Sequence, residues 1–140
     1  MLVDLFEFQQ KALDELRDRQ KKAQQIYEQY GDKHIIPFTA PTGAGKTIIM
    51  SAFIEALYDT QNDAIVLWIS DSPELNEQSK MKLYSKADKL MMRPVVTIDD
   101  KTFKSDKLQL GTIYFIGVRG KIYKPHKSLY TCNLPNVIVY

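Results

Sequence analysis

One cysteine and two histidines in 140 residues remove several classes of protein at the outset. A lone thiol, Cys132, cannot close an internal disulfide, which fits a reducing, cytoplasmic setting. No residue pattern around it suggests a nucleophile, and Cys132 reads as a packing residue. His34 and His126 are too isolated for a zinc site, which wants several ligands at short spacing. Gly and Pro number six each, so no stretch reads as low-complexity or as a disordered tail. Long apolar runs are missing too: the most apolar stretch, Ala64 to Ile69, is far too short to cross a bilayer. The opening Met1-Leu2-Val3-Asp4 brings an acid at once and lacks the basic-then-apolar pattern of a signal peptide. No membrane partner is expected.

What is present is ordinary in amount but uneven in placement. Hydrophobic residues at 44% and charged residues at 26% suit one compact domain spanning 1–140. Residues 1–79 carry 7 basic against 13 acidic side chains, whereas 80–127 carry 12 against 4. The basic second half allows two readings, a face that binds a polyanion or a solvated, lysine-rich helix face. Lys80, Lys82, Lys86, Lys89 and Arg93 are expected on the wet face of a long helix.

Helical spacing of Phe6, Gln9, Leu13, Leu16 and Ala23 predicts a helix over 5–30, ended by Gly31-Asp32. His34 to Thr39 is a short strand candidate interrupted by Pro37. A helix from about Lys46 to Tyr58 is apolar around much of its girth and should be buried. After a turn at 60–63, Ala64 to Ile69 has the unbroken apolarity of a parallel strand covered on both faces. Ser72-Pro73-Glu74 supplies the start of a helix reaching about Leu90. Strands follow at Val95–Ile98 and Thr112–Val118, with a short helix expected at Phe103–Leu108 and a stop at Gly111. The stretch 119–136 reads as an irregular excursion, and Val137 to Tyr140 as the start of a buried strand. Alternating strand and helix predicts an α/β fold around a mostly parallel sheet.

The most informative segment is Ala40-Pro41-Thr42-Gly43-Ala44-Gly45-Lys46-Thr47, a phosphate-loop pattern with Ala in the place of its first Gly. Gly43 and Gly45 let the backbone curl round an anion without side chains in the way. The following helix presents its positive end and its unpaired N–H groups to a phosphate. Lys46 can reach the β- and γ-phosphates, and the Thr47 hydroxyl is placed to ligate Mg²⁺. The segment therefore predicts binding of a nucleoside triphosphate, ATP, with Thr42 to Thr47 as the cradle.

Several motifs together resemble the first RecA-like domain of superfamily-two DEAD/DEAH-like helicases, with the nearest likeness to the helicase (Res) subunit of type III restriction enzymes. Phe8-Gln9-Gln10-Lys11-Ala12-Leu13 resembles that family's opening signature, which places Gln9 as the reader of the adenine edge. Its amide offers a donor and an acceptor side by side. Ile65 to Ile69 followed by Ser72 to Gln78 is similar to the next motif, a strand leading into a helix that touches the nucleic-acid backbone. Leu75, Glu77 and Gln78 match the pattern there and Ser72 stands where it has Thr. Asp71 and Pro73 depart from it, which puts a phosphate contact from position 73 in doubt. Gly111 to Ile116 looks like the strand before a further contact, and Arg119, Lys121 and Lys124 in 119–127 mix cations with Tyr123. That segment fits a nucleic-acid contact or a solvated loop equally.

The resemblance implies a nucleic-acid-dependent ATPase, with DNA favoured over RNA, Lys46 in the catalytic role, and a modification subunit among its partners. Leu134 to Tyr140 looks like the lead-in to the acidic motif that holds Mg²⁺ and orients water. The expectation is thus the N-terminal part of a RecA-like domain, stopping before the Walker B acids. The second RecA-like domain, with its arginine finger, is expected elsewhere in a larger parent. Such a part is expected to bind nucleotide and hydrolyse little alone. Two rivals stand beside it: a small phosphate-loop kinase, and a non-catalytic nucleotide-binding module. The kinase fits less well, because some 39 residues with a Gln-bearing helix precede the loop.

Overall fold

A computed structural model describes residues 1–70, 73–98, 108–117 and 136–139, without the side chains of 73 and 136–139. Three helices, α1 (Glu7–Tyr30), α2 (Lys46–Thr60) and α3 (Pro73–Lys86), accompany strands β1 (Ile65–Ser70), β2 (Val95–Ile98), β3 (Ile113–Gly117) and β4 (Asn136–Val139). The strands form one parallel sheet in the order β2-β3-β1-β4. Leu67 is the pivot of the register, opposite Tyr114 on one side and Ile138 on the other.

Strand periodicity sorts the apolar run into two cores. Val66 and Trp68 of β1 and Ile113 and Phe115 of β3 face the helices, joined by Ile49, Phe53, Leu57, Leu83 and Leu90. The Trp68 and Phe115 rings stack there with centroids 5.7 Å apart. Ile65, Leu67, Tyr114 and Ile116 occupy the opposite face with Ile98 and Leu108. The central strands are buried on both sides, as parallel strands are.

Helix α1 ends as its sequence predicts: Gly31 takes the left-handed conformation (φ 73°) and returns its N–H to the Tyr27 carbonyl. Its inward stripe is narrower than expected. Gln9, Leu13 and Leu16 are buried, but Phe6 is the N-cap residue and 68% exposed. The expected strand at His34–Thr39 does not form. Pro37 lacks an N–H to donate, and the segment pairs with no described strand. Ile35 faces solvent at 94% exposure, while Ile36 and Phe38 pack on the helix-side core. A hollow of about 300 Å³ separates His34–Pro37 from Arg19, Lys22, Ala23 and Ile26 of α1.

The helix expected to reach Leu90 stops at Lys86, and a 3-10 turn at Asp88–Leu90 follows. Lys80 and Arg93 do not belong to its wet face. Lys80 Nζ donates to Thr97 Oγ1 on β2 at 2.6 Å and lies 5.5 Å from the Phe115 ring centroid. Arg93 lies beyond the helix, its guanidinium 3.8 Å from the Tyr58 ring centroid and donating to the Asn62 carbonyl at 2.6 Å. Burial pushes the Tyr58 hydroxyl up to about 12, against the opposing pull of Arg93. Lys82 is exposed on the helix as expected, Lys86 is half-buried at its end, and Lys89 is exposed but on the 3-10 turn beyond it. The helix expected at 103–108, except for the non-helical Leu108, and most of the excursion at 119–136 fall outside the described residues.

Candidate nucleotide site

The phosphate-loop segment lies between the non-strand stretch and α2. Pro41 and Ala44 close a tight turn, the Ala44 N–H donating to the Pro41 carbonyl at 3.1 Å. Gly43 and Gly45 both adopt left-handed backbone, with φ of 86° and 80°. A side chain at either would be strained, which accounts for glycine at both positions. Gly45 is the N-cap of α2 and accepts the Ile49 N–H at 2.9 Å. Lys46 is therefore the first residue of the helix, with its side chain exposed, and Thr47 the second, half-buried. No side chain caps this helix end. Its first N–H groups and its positive dipole end are therefore not satisfied by a capping side chain.

The two glycines differ in what surrounds them. An added Cβ at Gly43 would meet nothing within 4 Å, whereas at Gly45 it would come within 2.6 Å of Gln9 Nε2. Gln9 thus touches the loop directly, although 35 residues separate it from Ala44. Its Nε2 donates to the Ala44 carbonyl at 3.0 Å, and its Oε1 accepts the Phe6 N–H at 3.0 Å. The second bond is half of a capping box, made from the third residue of α1 back to the N-cap. Gln9 is 5% exposed, so burial and both contacts hold it in place. The neighbouring Phe6 and Phe8 rings stack with centroids 6.0 Å apart and remain exposed.

The structure brings Gln9, Ala44 and Gly45 together, with Thr42, Gly43, Lys46 and Thr47 beside them in the same loop and helix start. Ser72, Arg119, Lys121 and Lys124 lie outside the described residues, as do Cys132 and His126. His34 is exposed, and among the described residues no three His, Cys, Asp or Glu side chains could hold a metal. No described helix is long and apolar enough to cross a membrane. A second hollow of about 300 Å³, lined by Met1, Leu13, Ala52, Glu55 and Asp59 among others, includes none of the loop residues.

Sequence reasoning missed two polar contacts near the end of β1. Asn76 of α3 is 2% exposed, accepts the Ser70 hydroxyl at 2.6 Å, and has no partner for its Nδ2 among the described residues. Lys80, one turn further along α3, leans over β2 and β3. Their spacing of four residues places both on one helix face, a signal the sequence did carry.

The loop's donor chemistry suits a polyphosphate: left-handed glycine backbone with open space at Gly43, a helix N-terminus, an exposed ammonium and an adjacent hydroxyl. With the parallel sheet and its flanking helices, this loop defines a RecA-like, phosphate-loop α/β domain. The chain belongs to the family described as type III restriction enzyme, res subunit, whose model matches residues 2–131. It is accordingly a helicase-family ATPase domain, for which ATP, typically with Mg²⁺, and interaction with nucleic acid are family-level properties. No curated protein and no solved structure matches the chain.

Proposed function

We propose that the chain holds ATP on the loop Ala40 to Thr47 as part of a restriction-type, DNA-dependent motor. The observation that carries this reading is the open, left-handed Gly43 at the mouth of an α2 that lacks a side-chain cap. In this reading the loop N–H groups and Lys46 bind the β- and γ-phosphates, and the Thr47 hydroxyl is the Mg²⁺ ligand. Mg²⁺ held there would neutralise charge on the phosphates during phosphoryl transfer. Lys46 supports the same transfer by stabilising negative charge on the γ-phosphate, and Gln9 contributes base recognition. Ser72, Arg119, Lys121 and Lys124 serve as backbone contacts to DNA, and a second RecA-like domain and a modification subunit complete the parent assembly.

Calorimetric titration with Mg-ADP and Mg-GDP, beside Lys46→Ala, tests the nucleotide site. A charged hydrogen bond to phosphate corresponds to roughly a ten- to hundredfold loss of affinity in the variant. ADP should bind more tightly than GDP. Binding unchanged by Lys46→Ala would remove the loop from the account.

A further inference from the structure

The hollow beside the first residues of the chain has a chemistry of its own. It holds about 300 Å³ between the 1–5 segment, the first half of α1 and one side of α2. Leu5, Leu13, Ala52 and Ala56 give it apolar walls, and three carboxylates also line it, those of Asp4, Glu55 and Asp59. Their depths differ. Glu55 is 6% exposed, whereas Asp4 and Asp59 are open to solvent.

One cation already reaches the buried carboxylate. The Met1 ammonium donates to Glu55 Oε1 at 2.6 Å and shares its charge with Asp88 at 2.9 Å. Glu55 Oε2 is buried and has no hydrogen-bond partner among the described residues. An ionised carboxylate only accepts, so the group that completes this oxygen must be a donor. Charge favours a cationic one. A single ammonium stands against Glu55, Asp88 and Asp4, and Lys89 answers Asp59 only loosely, at 3.6 Å with both side chains more than half exposed. A hard metal ion is poorly served, since it wants six or more oxygens. Among the described residues no three His, Cys, Asp or Glu side chains come together to hold one. An alkylammonium is well served, its charge meeting a carboxylate and its methylenes lying on apolar wall.

We infer that this hollow binds a linear alkyldiammonium ion, one ammonium donating to Glu55 Oε2 and the other held at the rim by Asp4 and Asp59. The apolar walls take the methylene chain that joins the two charges. The hollow includes none of residues 40–47, so the inference is independent of what the phosphate loop binds.

The probe is butane-1,4-diammonium, titrated at fixed ionic strength against the whole chain by calorimetry and amide chemical shifts, with n-butylammonium as the one-ended comparison. The amides of Ala52, Glu55 and Ala56 should shift, while those of Glu15 and Asp18, exposed on α1, should not. The double variant Asp4→Asn/Asp59→Asn, changed only at exposed positions, should bind the diammonium about three- to tenfold more weakly and n-butylammonium much as before. Glu55→Gln should weaken both ions by about tenfold or more. Because it also takes a partner from Met1, its melting curve is recorded first. Ala56→Leu fills the hollow, keeps every charge and should abolish binding of both ions. Shifts spread over the whole acidic surface, no saturable binding, or full affinity in a folded Ala56→Leu variant would each overturn the inference. Equal affinity for the two ions, unchanged in the double variant, would reduce the hollow to a pocket for one ammonium, such as a partner's lysine, and would overturn the two-ended site.

Discussion

Helices α1 and α2 pack against each other but meet the core on different terms. From Ile49 to Tyr58, α2 is buried at every residue except Met50 and Ala56, with Ile54 completely so. The longer α1 buries only Gln9, Leu13 and Leu16, all in its first half. Its second half is joined to the α2 terminus by a polar contact, Gln61 Nε2 donating to Gln24 Oε1. Both helices reach the phosphate loop, α2 by beginning there and α1 through one side chain. The core therefore rests more on α2 than on α1, which adds Leu13 and Leu16 to it and meets the loop through Gln9.

The sharpest way to break this contrast is to cut equal volumes from the two helices. Ile54→Ala in α2 removes a fully buried side chain and should destabilise the chain by about 3–5 kcal/mol. Leu16→Ala in α1, at 7% exposure and the last buried residue of its helix, should fall nearer 2 kcal/mol. Urea unfolding midpoints measure both. Equal losses would show α1 to be as much a part of the core as α2.

The same contrast explains what the sequence disclosed. β1 and α2 were legible because a residue buried on all sides needs only apolarity; Ile65 to Ile69 are apolar throughout, and Ile48 to Leu57 are apolar except for Ser51 and Glu55. The glycine turn ahead of α2 was legible because Gly43 and Gly45 answer a local backbone demand, met as φ of 86° and 80°. The stretch His34–Thr39 was not, since a strand exists only if a neighbour pairs with it, and apolar composition says nothing of that neighbour. Lys80 reads as solvated until Thr97 appears beneath it, 17 residues later. Gln9 could be picked out by resemblance to a helicase motif, but its bond to the Ala44 carbonyl depends on how α1 lies against the loop.

Glu55 is where α2 departs from an apolar helix, and it offers a second test. It accepts the Met1 ammonium at 2.6 Å, which also pairs with Asp88 at 2.9 Å. The hydrogen bond it donates to Glu55, then that to Asp88, raises the amino terminus above its ordinary 8.0. The bond from the amino terminus holds Asp88 below its ordinary 3.8. A raised ammonium stabilises fully below 8.0, and that contribution disappears as pH climbs through the raised value. A depressed carboxyl stabilises above 3.8 and ceases to do so as pH falls through the lowered value. Thermal melting should therefore be flat between these limits and decline beyond each. Acetylating the amino group should abolish the alkaline decline, and Asp88→Asn should soften the acid one. An alkaline decline that survives acetylation would place its cause elsewhere than at Glu55 and Met1.

The smallest effect is expected on the outer face of α1. Arg19 donates to Glu15 at 2.8 Å one turn earlier, but the two side chains are 53% and 65% exposed. Water and salt screen such a pair, and ordering two long side chains offsets much of the attraction. Arg19→Ala should shift stability by no more than about 0.5 kcal/mol, partly because Ala is the better helix former. Arg19 also borders the hollow against Ile36 and Pro37, so its aliphatic stem covers some apolar surface. Urea unfolding in low and high salt separates the two contributions. A loss that vanishes in high salt belongs to the ion pair, while one that persists belongs to the stem. A persistent loss above about 1 kcal/mol would mean that the distal half of α1 is held by packing on the 34–37 segment. The contrast between the helices would then end at Leu16, with α1 anchored at both of its ends.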